Sequence, residues 1–222
     1  MNLFILLEGQ SEEVFCKQIL KPYFETKNIF LKYSIFSTGK KYNGTKYRGG
    51  ITDYSKFTKD INNVLNDQSY DLITTFIDFY GFLKIAPFKD EIDESNCYAR
   101  VAQTENRLRK DIKNNKRFLP YMNLHEYEII YYIDETITKK ILNNNFDGKK
   151  YKKIIQNYKN IETINENPDD APSKRLERIC PSYDKIYHST LISQELQLTS
   201  ILDKCKHFKE WIDQIEKKTS DI

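Results

Sequence analysis

Three apolar runs in this chain end at acids, and those acids are the first residues with chemical potential. Leu3-Phe4-Ile5-Leu6-Leu7 runs into Glu8 and Gly9, and Leu72-Ile73-Thr74-Thr75-Phe76-Ile77 runs into Asp78, with Gly81 close behind. The third run, residues 117–124, is followed by His125, Glu126, Tyr127 and Glu128. Carboxylates at the carboxyl ends of neighbouring parallel strands, ~5 Å apart, repel one another unless a proton or a cation lies between them. Oxygen-only donors of this kind suit Mg²⁺ or Mn²⁺, so Glu8, Asp78 and Glu126 form the expected metal set, with Glu128 as an alternative third acid. His125 is placed to act as a general base or to touch a phosphate. Each residue also has a plainer reading: Glu8 could face solvent or pair with a helix, Asp78 could cap a loop, and His125 could be structural.

A fourth segment is basic. Ala171-Pro172-Ser173-Lys174-Arg175 has the form of a helix start, where free N–H groups favour anions. Lys174 and Arg175 make it an expected phosphate contact, with an exposed basic helix start as the alternative. Arg48 is added from the polar loop 37–50, whose other cations (Lys40, Lys41, Lys46) read as solvated surface.

The elements that must hold these residues follow from hydrophobic period. Residues 3–7 are apolar throughout, as in a strand covered on both faces. Apolar residues at helical spacing between 11 and 24, a strand over 30–36, a helix over 54–65 and the strand 72–77 continue a strand–helix alternation. An irregular region is expected over 80–96, then a helix over 99–112 and a fourth strand over 117–124. Pro120 marks that strand as an edge or a bulge. Beyond Glu126 the pattern is helical (127–133, 151–158, 174–179, 205–215), with a loop at 164–172. The expectation is therefore a single α/β domain over 1–222. Its core is a parallel sheet in residues 1–128, flanked by helices, and residues 129–222 form a helical extension packed on it.

Composition limits the function classes. The chain has 222 residues, 39% hydrophobic and 14% aromatic, enough to pack one sizeable domain. A net charge of +3 permits nucleic-acid binding without arguing for it. The four cysteines are far apart, with neither CxxC pairs nor zinc spacing, so free buried thiols are expected. No apolar stretch is long enough for a signal peptide or a membrane span, so a cytoplasmic protein is expected.

Together the segments EGQSEE (Glu8 to Glu13), RGG (Arg48 to Gly50), TTFIDFYG (Thr74 to Gly81), RFLPYMNLHEYE (Arg117 to Glu128), NPDDAPSKR (Asn167 to Arg175) and CKHFKEW (Cys205 to Trp211) resemble a bacterial domain-of-unknown-function family, number 4276, among Toprim-like proteins. The resemblance runs nearly the full length. It implies a Toprim-like, Rossmann-like core in which Glu8 matches the glutamate after the first strand and Asp78 the first of a later aspartate pair. Such sites hold Mg²⁺ for cutting or joining nucleic-acid backbones. The chain departs from the pattern at Tyr80, where the second aspartate would stand. The resemblance also implies an ABC/SMC-like ATPase partner and a role in anti-phage defence, and a homo-oligomer is compatible with it.

The sequence thus points to a Mg²⁺-dependent nuclease, with Glu8, Asp78, His125, Glu126 and Glu128 as catalytic residues and Lys174, Arg175 and Arg48 on phosphate. The alternatives are a non-catalytic nucleic-acid- or ligand-binding partner of the ATPase, favoured by Tyr80, and hydrolysis of a small phosphoester.

Overall fold

In the computed structural model, residues 1–36, 50–92, 96–143, 146–158, 160–164 and 170–220 are described. β1 (Asn2–Leu7) lies at the centre of a parallel sheet between β2 (Phe30–Ile35) and β3 (Leu72–Asp78). Beyond β3 lie two short strands, β4 (Phe118–Leu119) and β5 (Met122–Asn123), both pairing with β3 in parallel. α1 (Gln10–Phe15), a π-helical turn at Cys16–Leu20 and α2 (Lys21–Glu25) link β1 to β2. α3 (Tyr54–Asn66) leads into β3, and α5 (Cys97–Asp111) carries the chain from β3 to β4. The expected irregular region after β3 contains a short helix, α4 (Phe79–Leu83), and one 3₁₀ turn at Lys89–Glu91.

The fourth strand is broken, not bulged. Ile73 and Thr74 pair with Phe118 and Leu119, while Ile77 and Asp78 pair with Met122 and Asn123. The register is the same on both sides of Pro120, so no residue has been inserted. Proline supplies no N–H to a ladder, and the Thr75 hydroxyl fills the gap. It accepts the Tyr121 N–H at 2.9 Å and donates to the Tyr121 carbonyl at 2.8 Å. The stitch keeps Asn123 opposite Asp78 and confirms the edge position expected from Pro120.

Strand alternation sorts the two cores. Leu3, Ile5, Leu7, Leu72 and Phe76 join one buried cluster, while Leu6, Ile73 and Ile77 join the other. The second cluster is roofed by Phe57, Ile61 and Leu65 of α3 and by Cys97, Val101 and Leu108 of α5. The C-terminal half covers the first: a 3₁₀ stretch at Tyr127–Tyr132, then α6 (Glu135–Leu142), α7 (Gly148–Asn157), α8 (Pro172–Ile179), α9 (Lys185–Glu195), α10 (Leu198–Lys204) and α11 (Lys206–Ser220). The 3₁₀ stretch replaces the α-helix expected over 127–133, and α6, α9 and α10 fall where no helix was expected. All four cysteines are free and buried. Among the described residues no helix is long and apolar enough to cross a membrane.

Trp211 of α11 fastens this helical half to the sheet. Its ring lies 5.6 Å from Phe76 and 4.3 Å from Tyr121, nearly parallel to both, and its indole N–H donates to the Thr74 hydroxyl at 2.9 Å. Replacing Trp211 by Ala removes a large buried ring and leaves Thr74 without this partner. The expected loss is about 3–5 kcal/mol, read as a lower denaturant midpoint.

Candidate functional site: four acids and one lysine

Parallel pairing sets the site. Leu7 pairs with Phe76, so Glu8 and Asp78 leave adjacent strands near the same edge. The side chain of Glu8 turns toward its neighbour, and its Oε2 accepts the Asp78 backbone N–H at 2.8 Å. Gly81 makes room for this arrangement, because a Cβ there would come within 2.8 Å of Glu8 Oε1. Asp78 does not cap the helix that follows it. Its Oδ1 accepts the Asn123 side-chain amide at 3.0 Å and the Tyr127 N–H at 2.9 Å, which fix its rotamer from the β5 side.

Two further acids are buried nearby, and a lysine faces the set. Glu12, in the first turn of α1, is 2% exposed, and Glu128 is fully buried. Lys185, the first residue of α9, brings its Nζ to 3.0 Å from Glu128 Oε1 as an ion-pair contact. Among the described residues, neither Glu128 oxygen receives a directed hydrogen bond. Burial pushes Glu8 up to about 7, with the Glu12 and Glu128 charges adding to the rise and the Asp78 N–H and Lys185 opposing it. Asp78 is driven upward by burial and then by Glu8, while Glu12 and Glu128 rise by burial against the pull of Lys185. Lys185 is held more firmly protonated than usual: burial opposes its charge, but Glu128, Asp78 and Glu12 outweigh it.

The other expected residues are placed differently. Glu126 accepts the Ser173 N–H at 2.9 Å, so it satisfies the first turn of α8. His125 is 2% exposed, lies against the Tyr80 ring at 5.2 Å, and finds no hydrogen-bond partner for either nitrogen among the described residues. Burial, helped by Arg100, lowers its pKa to about 3, so it is neutral near pH 7. Lys174 pairs with Glu177 on its own helix. Arg175 bonds to the Asp170 carboxylate and to the Tyr158 hydroxyl. Arg48 lies outside the described residues. Sequence reasoning missed Glu12 and Lys185 as members of the site. The second glutamate of EGQSEE was in view, but nothing marked it as buried, and α9 itself was not foreseen.

The donors fit magnesium in one specific sense. Mg²⁺ is commonly held by one or two carboxylates and completes its shell with water and substrate phosphate oxygens. Glu8 and Asp78 supply such a pair. Among the described residues, no three His, Cys, Asp or Glu side chains form a cage for a metal ion.

Two outcomes follow for stability. Below about pH 4.5 Glu8 is protonated in both the folded and unfolded chain; between about 4.5 and 7 only the unfolded chain releases the proton. Stability therefore falls as pH rises through that window and the cost is constant above it. Glu8→Gln, which keeps an acceptor for the Asp78 N–H, is expected to raise stability at pH 8 by roughly 1–3 kcal/mol and to change it little at pH 4. Lys185→Met leaves Glu128 without its counter-charge. Because about half of the Lys185 side chain meets solvent, the expected loss is about 1–3 kcal/mol, smaller than for a fully buried pair. That loss should be greater at pH 8 than at pH 5, where the acids take up protons, and thermal melts at the two pH values read both effects.

Neither the curated proteins nor the solved structures include a match to this chain. A family profile does match, over residues 7–216, and its description is a domain of unknown function, DUF4276. That span begins at the last residue of β1 and takes in β2 to β5, the acid cluster, α9 and most of α11, and the chain belongs to the DUF4276 family.

Proposed function

We propose that this protein is a Mg²⁺-dependent phosphodiesterase acting on nucleic acid, with Glu8 and Asp78 as the metal-holding pair. The observation that carries the reading is the charge imbalance at the strand ends: Glu8, Glu12, Asp78 and Glu128 face one lysine. Such a set gains from a further cation, and Mn²⁺ could stand in for Mg²⁺ at oxygen donors. When bound, the metal supplies Lewis-acid polarisation of a phosphoryl oxygen.

The chain's own residues do the positioning. Asn123 and the Tyr127 N–H hold Asp78 in one rotamer, and the Asp78 N–H holds Glu8. Lys185 keeps the acid set folded between turnovers and offers an ammonium to the charge that develops on the phosphate. His125 enters this reading as the ring that packs on Tyr80, since its nitrogens are buried. Glu126 enters as the support of α8. The ATPase partner and the anti-phage role rest on the Toprim-like resemblance alone.

A second reading has its own observation. Tyr80, where a Toprim site would carry its second aspartate, is 9% exposed and packed against the His125 ring, so it supplies no second carboxylate. With Lys185 already present as a cation, the edge could instead belong to a non-catalytic nucleic-acid-binding partner of an ABC/SMC-like ATPase.

The deciding experiment is cleavage of plasmid, single-stranded DNA and RNA in Mg²⁺ or Mn²⁺, with and without a neighbouring ATPase. Wild type is expected to cut, and Glu8→Ala and Asp78→Ala to lose roughly 10²-fold or more, the scale set by removing one transition-state contact. Cutting retained in both variants would remove the site from consideration. Wild-type protein that cuts under no condition would favour the second reading.

A further inference from the structure

The expected phosphate contacts of α8 are turned away from its N-terminus. That end is already occupied by the Glu126 carboxylate on the Ser173 N–H. Further along the helix, Arg175 and Arg178 both reach Asp170, so two guanidinium groups share one carboxylate. Arg175 is well fixed: its side chain is 13% exposed, its Nε donates to the Asp170 carbonyl at 2.8 Å, and its guanidinium lies over the Tyr158 ring at 5.5 Å.

These arginines line a groove of about 360 Å³ between α7 and α8. Lys150 and Lys153 of α7 join them, giving four basic side chains against two acidic ones, Asp170 and Glu177. Glu177 is held by Lys174, and Lys150 by Asp147 at 3.4 Å. Lys153 is exposed and forms no ion pair among the described residues. Ile154, Ile179 and Pro181 supply an apolar part of the lining. A volume above about 300 Å³ with an apolar wall and a few convergent charges is the form of a small-ligand site.

We propose that the α7–α8 groove binds a nucleoside phosphate, its phosphate held by Lys150, Lys153 and Arg178 and its base or sugar against the apolar wall, with Arg175 fixing the Asp170 side of the groove. The Asp170 carboxylate that Arg175 and Arg178 share engages only part of the five-donor fork of Arg178, whose side chain is about half exposed, so Arg178 keeps N–H donors that match phosphate oxygens. The nucleoside phosphate could be one residue of a nucleic-acid strand or a free nucleotide. The groove's role as a second hold on a strand rests on the phosphodiesterase reading, because α8 is tied through Glu126 to the segment that carries Glu128. Binding itself requires neither metal nor cleavage.

The test is therefore fluorescence anisotropy in EDTA, with a fluorescein-labelled oligothymidylate in one arm and a fluorescent ADP analogue in the other. Wild type is expected to bind at least one probe. Lys153→Ala and Arg178→Ala should each weaken binding by about tenfold, the factor that 1.4 kcal/mol represents. In the oligothymidylate arm each should also lower the salt dependence by about 0.7 in the slope of log K against log salt, a change that loss of fold would not produce. Binding in only one arm identifies the source of the phosphate. Wild type that binds neither probe, or variants that bind with wild-type affinity and slope, would overturn the inference. Binding that depends on Lys153 and Arg178 would support it whether or not the protein cuts.

Discussion

The carboxyl edge of this sheet is governed by the cost of placing four carboxylates together and the means by which the chain meets it. At an effective dielectric constant of ~20, two like charges 4 Å apart repel by about 4 kcal/mol, so a set of this size cannot be fully ionised without compensation. Three means are visible. Protonation is made easier by burial, which carries Glu8 to about 7 and lifts Asp78, Glu12 and Glu128. Backbone N–H groups and the Asn123 amide bond to Glu8 and Asp78. Lys185 contributes an ammonium that acts on all four acids. α9 starts at the Asp184 cap, whose carboxylate accepts the Tyr187 N–H, and Lys185 as its first residue binds the C-terminal half to the site electrostatically as well as by packing.

The rest of the architecture protects the register that sustains this cluster. Asp78 is useful only if Asn123 and Tyr127 arrive opposite it, and the strand that brings them is broken at Pro120. The Thr75 hydroxyl repairs the break by serving both the N–H and the carbonyl of Tyr121. The Tyr121 ring then stacks on Trp211, whose N–H is satisfied by Thr74, the residue before Thr75. Two adjacent threonines in an otherwise apolar strand thus have defined tasks. One repairs the edge of the sheet, and the other anchors the helix that covers it.

Much of this was legible in the sequence because apolar runs and strand-ending acids are strong local signals. The order of strands and helices through residue 119 apart from the short α4, the adjacency of Glu8 and Asp78 and the edge position marked by Pro120 all follow from period and from single residues. α9 was not legible for a physical reason. Its buried face is made of His188, Ser189, Ile192 and Ser193, while Ile186 and Tyr187 are exposed, so the helical stripe of hydrophobicity that reveals other helices is missing. Lys185 was hidden with it. The role of Glu126 was hidden for another reason: a carboxylate just past a strand end and two residues from Glu128 reads as a third ligand, whereas α8 brings an unsatisfied N–H to it from 47 residues away. Long-range capping leaves no local trace.

The same geometry bears on where substrate charge can be met. In the proposed reading, a phosphate approaching the strand ends meets four acids against one ammonium, and a further cation there would favour its binding. The α7–α8 groove has the opposite balance, with four basic side chains against two acidic ones. Separating the two gives each a distinct dependence on conditions. Salt screens the groove's contacts, whereas proton concentration sets the charge of the acid edge, most directly through Glu8 near neutrality. Glu126 connects them mechanically, since it leaves the segment that holds Glu128 and takes up the first turn of the helix that carries both arginines.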